Sequence, residues 1–490
     1  MKTDVCFILE GTYPYVYGGV SNWIHNLVTS LGDLKFSIIH VSATGDTIRT
    51  PKYEIPDNIV EFKEIFVHDY KIEKGRTRGS KREGWRAIRE FYDALGSNDL
   101  SKFTDVYKQV IDKNTRSLNA YDLMNSDQAW KMMTRLYQDY APDVSFVDFY
   151  WTIKFIHSPL LNLVDVEIPE ANVFHTVCTG YAGLLSVIAK MKRQKPLLLT
   201  EHGIYTHERK IEISKAKWIH SEEDKIMRAT RTLGFFKEAW IKKFETLSKL
   251  TYDYADKIVT LFEGNRKMQI EGGADPSKIS IIPNGVDVLE EQLTLHREKE
   301  TTKNIGFIGR VVSIKDVKIF IRAMKILKER MKDIKVFILG SGDEEPEYFN
   351  ECKTLTQMLQ LEDNITFTGN VNVEDYYPML DAVVLTSISE GQPLTILEAM
   401  SYGIPIVASD VGACRELIYG KDEDDRNLGE AGILTNIGSP HETAGAIMSI
   451  LQNKDLYQKM SETGVTRIKK YYRKENTINS YRELYESLLR

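Results

Sequence analysis

Cysteine is scarce in this chain, four among 490 residues. Cys6, Cys178, Cys352 and Cys414 stand far apart without a C-x-x-C pair, which argues against a zinc site and a disulfide framework and fits a reducing compartment. Long apolar runs are missing as well. No stretch approaches 18 uninterrupted apolar residues, and the opening "MKTDVCFILEG" is broken by Glu10 before it can serve as a signal core or a membrane span. A soluble, cytoplasmic chain is expected. Nor is there a basic excess: 64 Lys and Arg stand against 70 Asp and Glu, a net charge of −6. Nucleic-acid binding draws on phosphate neutralisation, so no nucleic acid is expected as a partner.

What is present is length and alternation. With 490 residues, 42% of them hydrophobic, the chain exceeds one ordinary domain and can bury a large core. The runs "VCFILE", "FSIIHVSA", "NVFHTV", "PLLLTEHG" and "KIVTLFEGN" alternate with amphipathic stretches. Buried parallel strands lose polar alternation in this way, so residues 1–290 read as a doubly wound α/β domain. From about 70 to 140 the pattern turns charge-rich and helical, opening with "KIEKGRTRGSKREGWR", and reads as an inserted solvated helix and loop in preference to a site for an acidic partner or headgroups. A second helical stretch, Ile211 to Lys249, carries Trp218, Phe235, Phe236 and Trp240, whose spacing suits core more than a sugar platform. After a polar linker at 291–302 the alternation restarts with "IGFIGR", "IKVFILGSGD", "NITFTGNV", "AVVLTSIS" and "IPIVASDVG", a second Rossmann-like domain over 303–470. The amphipathic end, 471–490, either caps that domain or crosses back to the first. Two such domains imply a cleft between them, with ligands at the carboxyl ends of strands.

The motifs fall just after those strands. In "SISEGQPLTILEAMSYGIPIVASDVG" the chain turns at Glu390 and Gly391, and Pro393 suits the first position of a helix. Leu394, Thr395 and Ile396 should then present free amides to an anionic or hydroxyl-rich ligand, and Gly391 lets it approach the backbone. Glu398, eight residues after Glu390, reads as a ribose clamp and Glu390 as a sugar-hydroxyl contact. In "IGFIGRVVSIKDVKIF", Arg310 and Lys315 can bracket a diphosphate. His202 in "TEHGIYTHERK" ends a strand, and a neutral imidazole there can bond a sugar hydroxyl; its spacing to His207 is not that of a zinc motif. His175 either lines the cleft or serves the core. The D-x-D of "KDEDDR", Asp422 and Asp424, reads as a solvated loop. In "EGTYPYVYGGVSNWIHNLV", Gly18 and Gly19 join a strand to a helix without a complete G-x-G-x-x-G.

Together "GRVVSIK", "SISEGQPLTILEAMSYGIPIVASDVG", "IIPNGVD" and the early strand, glycine pair and helix resemble the retaining, GT-B-fold glycosyltransferases that include glycogen and sucrose synthases. More narrowly, "EGTYPYVYGGVSNWIHNL", "TGYAG", "TEHGIYTHERK" and "GRVVSIKDVK" are similar to the cytosolic glycosyltransferases of bacterial Pel exopolysaccharide synthesis. The resemblance implies a UDP-sugar donor held by the second domain and a glycan acceptor entering from the first, with retention and with neither metal nor cofactor. On that basis Arg310 and Lys315 clamp the diphosphate and Glu398 binds the ribose. Glu390, Gly391 and the amides near Leu394 and Thr395 meet the donor sugar, His202 lies beside it, and Gly18 and Gly19 approach the donor from the first domain. Tyr13, Tyr15 and Tyr17 become acceptor-side walls, and docking to an inner-membrane synthase complex is a further expectation. Asp316 and Ala413 depart from the pattern where glycine is common. A UDP-sugar epimerase and a scaffold subunit of a membrane synthase are the competing readings.

Overall fold

The computed structural model describes residues 2–45, 49–69, 75–216, 234–288 and 302–489. Trp218, the start of the basic stretch up to Lys74 and the linker over 291–301 lie outside the described residues. The chain divides into two compact units: unit 1 is Met1–Thr260, Arg266–Ile281 and Arg482–Arg490, and unit 2 is Leu261–Asn265 and Ile282–Tyr481.

Unit 1 is built on seven strands: β1 (Thr3–Glu10), β2 (Phe36–Ser42), β3 (Ile59–Phe66), β4 (Ala171–Thr176), β5 (Leu197–Glu201), β6 (Lys257–Thr260) and β7 (Ile279–Ile281). All pair in parallel, in the order β3-β2-β1-β4-β5-β6-β7. Every residue of β2 is buried, as a strand covered on both faces requires. Unit 2 repeats the scheme with β8 (Lys303–Ile308), β9 (Ile334–Leu339), β10 (Ile365–Gly369), β11 (Ala382–Leu385), β12 (Ile406–Ser409) and β13 (Gly432–Thr435). Their order is β10-β9-β8-β11-β12-β13, again parallel throughout. Three strands fall outside the runs read from the sequence: β3, β7 and β13. All three lie at sheet edges, where one side is open and polar residues such as Glu61 and Ser280 are tolerated.

The insertion is helical, and the helices extend past Tyr140. Lys81–Leu95 and Asp127–Tyr140 are followed by Phe146–Val164, the latter two capped by the Ser126 and Ser145 hydroxyls. Phe149 and Leu163 of that third helix are buried in the unit 1 core, together with Phe236, Phe244 and Leu247 of the helix Phe235–Tyr254. The aromatics after Gly234 are therefore core, in keeping with the reading of their spacing.

The last helix, Lys474–Leu489, serves both units. Thr477 donates to the Pro283 carbonyl at 2.9 Å within unit 2. Within unit 1, Arg482 bonds both Asp33 oxygens at 2.7 and 2.8 Å, and the fully buried Tyr485 hydroxyl lies 2.7 Å from His175 Nδ1. In unit 2 the D-x-D motif has a local job: Asp422 accepts the Asp425 amide at 2.9 Å and caps the short helix Glu423–Arg426. Asp425 itself is fully buried against Arg467, Oδ1 to Nε 2.6 Å, and the other guanidinium nitrogens donate to the Ile418 and Gly429 carbonyls. A buried pair satisfied on every side holds its ground; one partner alone would not. Among the described residues no helix is long and apolar enough to cross a membrane.

Candidate active site

In unit 2 the strand order reverses between β8 and β11, the place where an open α/β sheet takes its ligand. The loops leaving β8 and β9 touch there. Gly309 and Gly340 have φ of 150° and 151°, and a Cβ on Gly340 would lie 2.0 Å from the Gly309 carbonyl oxygen, so this contact demands glycine. Arg310 follows, half exposed and ion-paired with Glu344. Lys315 closes the short turn Ser313–Lys315, and the Thr386 hydroxyl at the end of β11 donates to the Lys315 and Asp316 carbonyls, 3.1 Å each. These bonds hold the β8 and β11 loops together. Across them Lys315 Nζ meets Glu390 Oε1 at 2.5 Å, and the Ser387 hydroxyl donates to the same oxygen at 2.5 Å. Glu390 is thus not a lone sugar contact. It is the counter-ion of Lys315.

Both departures from the expected pattern are explained by the backbone. Asp316 has φ 46° and ψ 51°, the left-handed conformation that glycine adopts without cost, so the shape is kept with a less suited residue. Ala413 has φ −81° and is fully buried, with its amide donating to the Gly391 carbonyl at 2.8 Å, so nothing there asks for glycine. The glycine that matters is Gly412, whose φ is +53° and whose Cβ would fall 2.2 Å from the Glu390 carbonyl oxygen.

The helix after this turn is Leu394–Ser401, and Pro393 is its cap residue, one position earlier than the sequence suggests. The Ile396 amide consequently donates to the Pro393 carbonyl at 3.1 Å and is not free. Among the described residues the Leu394 and Thr395 amides have no acceptor, which leaves two donors at the positive end of the helix. Glu398 is partly buried and takes a 2.7 Å bond from the Tyr377 hydroxyl on Oε2. Burial raises its pKa against the opposing Tyr377 bond. Oε1 accepts no bond among the described residues, so one oxygen is anchored and the other is available for a hydroxyl. Tyr377 stacks on Tyr402 at 4.8 Å and was not legible in the sequence.

In unit 1 the order reverses between β1 and β4. Glu10, the last residue of β1, accepts from the Tyr205 hydroxyl at 2.7 Å and the Ala182 amide at 3.1 Å. A Cβ on Gly180 would collide with both groups, at 2.4 Å from Tyr205 Oη and 2.7 Å from Glu10 Oε2. Nearby the buried Lys243 ammonium donates to the Tyr181 hydroxyl and lies 4.3–4.6 Å from the Tyr181, Trp240 and Phe244 ring centres. Burial lowers its pKa to about 7, with the Glu10 charge opposing. Glu10 and Tyr205 lie inside quoted motifs but were given no role there, and Lys243 belongs to none, because what joins them is contact between distant loops.

His202 is buried at the end of β5 with its ring 4.8 Å from that of Trp23, and burial pushes its pKa down to about 4. It is therefore neutral near pH 7. His175 belongs to the core, bonded to Tyr485 and to the Thr200 hydroxyl at 2.9 Å. Glu201 is taken up by Tyr252 at 2.7 Å, Gln269 at 3.0 Å and the Tyr205 amide at 3.1 Å, while His207 is exposed. Gly18 and Gly19 are exposed, and a Cβ on either meets nothing within 4 Å. Gly18 is extended at φ 172°, so neither its backbone nor a neighbour requires glycine. The three tyrosines before them divide. Tyr13 is fully buried and Tyr15 is packed edge-on against His40 and Phe62, so neither is a wall; Tyr17 is 53% exposed.

Residues 3–277 match the family described as "Domain of unknown function (DUF3492)", and residues 290–467 match "Glycosyl transferases group 1". An uncharacterized glycosyltransferase of Haemophilus influenzae is 30% identical over 220 residues, 44% of this chain and 58% of that one. The lipopolysaccharide core biosynthesis mannosyltransferase LpsB of Rhizobium meliloti is 30% identical over 190 residues, 38% of this chain and 52% of that one. The chain thus spans about half the length of the curated relatives it matches. Among solved structures, Anabaena HepE in complex with UDP and glucose covers 99% of this chain and 100% of its own, with TM-score 0.57 and 14% identity. Sucrose-phosphate synthase from Thermosynechococcus elongatus covers 99% of both, with TM-score 0.58 and 15% identity. At such identities the likeness shows the fold: two parallel-sheet, Rossmann-like domains of the GT-B kind.

Proposed function

The chain belongs to the DUF3492 family and carries a group 1 glycosyltransferase domain, and we propose that it moves a hexose or N-acetylhexosamine from a UDP-sugar to a growing glycan, with retention and without metal or cofactor. The observation that carries this reading is the Lys315, Glu390 and Ser387 constellation at the unit 2 switch point, with Arg310 on the adjoining loop. A departing nucleoside diphosphate gathers negative charge, and a prepositioned ammonium and guanidinium stabilise it as it forms. Both cations are already held by carboxylates, so a diphosphate replaces one anion with another. Glu398 Oε1 suits a ribose hydroxyl, and the Leu394 and Thr395 amides suit a sugar or phosphate oxygen. In unit 1, a neutral His202 suits a sugar hydroxyl. UDP is favoured by the motif resemblance and by the nucleotide with which HepE was crystallised. Retention and a Pel-type exopolysaccharide acceptor, with work in the cytoplasm beside an inner-membrane synthase complex, rest on the motif resemblance alone.

Calorimetric titration with UDP, ADP and GDP, followed by transfer of label from UDP-hexoses and UDP-N-acetylhexosamines into polymer, tests the proposal. UDP should bind in preference, and Lys315→Ala should reduce transfer by about 10²- to 10³-fold. Interconversion of free UDP-sugars without polymer would make the protein an epimerase. Polymer output surviving both Arg310→Ala and Glu390→Gln would make it a scaffold.

A further inference from the structure

Where the helical insertion meets the sheet of unit 1, three segments close around a cavity of about 970 Å³: residues within 104–115, 165–168 and 191–194. The last two segments run into β4 and β5, so the cavity lies at the amino ends of those strands. Glu10 and His202 stand at the opposite, carboxyl edge of the same sheet. Four cations line the cavity, Lys108, Lys113, Lys192 and Arg193. Three carboxylates line it too, but each is engaged. Asp112 accepts the Asn114 amide at 3.0 Å and the Thr115 hydroxyl at 3.1 Å, which shapes its own turn. Asp165 is bonded to the buried Arg116 at 2.7 Å, with Lys113 farther off at 3.7 Å. Glu167 faces Lys63, 3.9 Å away and no part of the wall.

The cations are held in another way. Lys192 donates to the Val164 and Val166 carbonyls at 3.2 and 3.1 Å, at the carboxyl end of the helix Phe146–Val164. Arg193 donates to the Ile168 carbonyl through Nε, at 3.1 Å, and through Nη2, with Glu170 at 3.8 Å. Uncharged acceptors fix a cation in place and leave most of its charge uncompensated. Lys108 is exposed and makes no ion pair among the described residues. Burial lowers the Lys192 pKa to about 8, and the charges of Lys113, Arg116 and Arg193 push the same way against Asp165. An entering anion relieves that crowding. Between the cations the wall is apolar, with Tyr107, Val166 and Met191 half-buried. Tyr107 and Lys108 stand on a π-helical turn, Tyr107–Ile111, closed by the Asp112 amide on the Tyr107 carbonyl at 2.9 Å; such turns recur at functional sites.

We propose that this cavity binds a nucleoside polyphosphate at a site separate from the donor's, with Lys108, Lys113, Lys192 and Arg193 on the phosphates and Tyr107, Val166 and Met191 against the base. The volume falls in the range of small-ligand clefts, and cations on three segments match the spread charge of a phosphate chain. The proposal does not depend on the glycosyltransferase reading.

Full-length protein is titrated calorimetrically with ATP, GTP and inorganic pyrophosphate. Three forms are compared: wild type, the donor-site variant Arg310→Ala/Lys315→Ala, and the cavity variant Lys108→Glu/Lys113→Glu. ATP or GTP should bind the wild type and bind the donor-site variant within about threefold of it. The cavity variant should lose at least about tenfold, the scale of one charge-assisted hydrogen bond, with its UDP affinity and melting midpoint unchanged. Lys108→Ala should show a smaller loss in the same direction. Pyrophosphate should bind more weakly than the nucleotide, because it leaves the apolar wall uncovered. Four results overturn the proposal: no binding of ATP or GTP to the wild type, unaltered affinity in the cavity variant, loss of binding in the donor-site variant, or pyrophosphate binding as tightly as the nucleotide. Cavity-dependent nucleotide binding in a protein with no affinity for UDP would instead overturn the donor reading and leave this site standing.

Discussion

The two switch points are built from the same parts and used differently. Each has a carboxylate at a strand-end loop, Glu10 in unit 1 and Glu390 in unit 2. Glu10 is held by neutral donors, a tyrosine hydroxyl and a backbone amide, whereas Glu390 is held by an ammonium and a hydroxyl. Neutral donors leave a carboxylate without a bonded counter-ion. One under an ammonium stores a cation that an incoming anion can take over. The glycines differ in the same sense: Gly412 and Gly340 are wedged against backbone atoms, while Gly18 and Gly19 border empty space. Unit 2 has a cradle built on an ion pair, and unit 1 has one whose carboxylate is held by uncharged donors.

The largest test of that contrast is Lys315→Ala set beside Glu10→Gln. Loss of the ammonium should reduce kcat/KM for donor by about 10²- to 10³-fold, as removal of one charge-stabilising group does. Glu10→Gln should act on the acceptor KM and leave UDP affinity alone; steady-state kinetics with both substrates varied separates the two. A donor defect in Glu10→Gln equal to that of Lys315→Ala would erase the distinction.

Acid should also distinguish the units. His40, His175 and His202 of unit 1 are buried, and burial lowers their pKa values to about 4, about 3 and about 4. Below pH about 6.5 an unfolded imidazole binds a proton that its folded counterpart refuses, so stability falls as pH drops from 6.5 toward 4, by up to about 1.4 kcal/mol per pH unit for each histidine. Near neutral pH and above, this contribution is constant. His441, in unit 2, is exposed. Hydrogen exchange at pH 7 and pH 5 should show unit 1 loosening first. His40→Gln should flatten the trend.

Smaller effects separate the glycines. Gly412→Ala forces a Cβ against the Glu390 carbonyl and should cost about 1–3 kcal/mol of unit 2 stability along with UDP affinity. Gly19→Ala should change the melting midpoint by no more than about 0.5 kcal/mol equivalent while reducing transfer more than UDP binding. The smallest is Asp316→Gly, which should relieve the left-handed residue and stabilise unit 2 by less than about 1 kcal/mol, read by chemical denaturation.

Several of these features can be read along the chain and others cannot. The central strands announce themselves because burial on both faces writes an unbroken apolar run, as in the "VCFIL" of β1; the edge strand "IVEFKEIF" does not, because half of it meets water. The places of Arg310, Lys315 and Glu390 after strands were legible because a strand-end loop with a glycine or proline is a local pattern. Their partners were not. Glu344 is 34 residues from Arg310, and Tyr205 is 195 from Glu10. Tyr13, Tyr15 and Tyr17 look alike in sequence, yet one is fully buried and one is half exposed.

What the amino acids settled by themselves was therefore local: two runs of alternating strand and helix, the charged residues that end particular strands, and the glycines and prolines that turn the chain there. Which of those residues meet was decided by parallel pairing. Each crossover returns the chain to the same edge of the sheet, so loops from β8 and β11 become neighbours although Lys315 and Glu390 lie 75 residues apart. Nothing at either position alone encodes the other. The same packing determined that Glu390 is a counter-ion, that Glu398 keeps one oxygen free among the described residues, and that of three similar tyrosines Tyr17 is the one left half exposed.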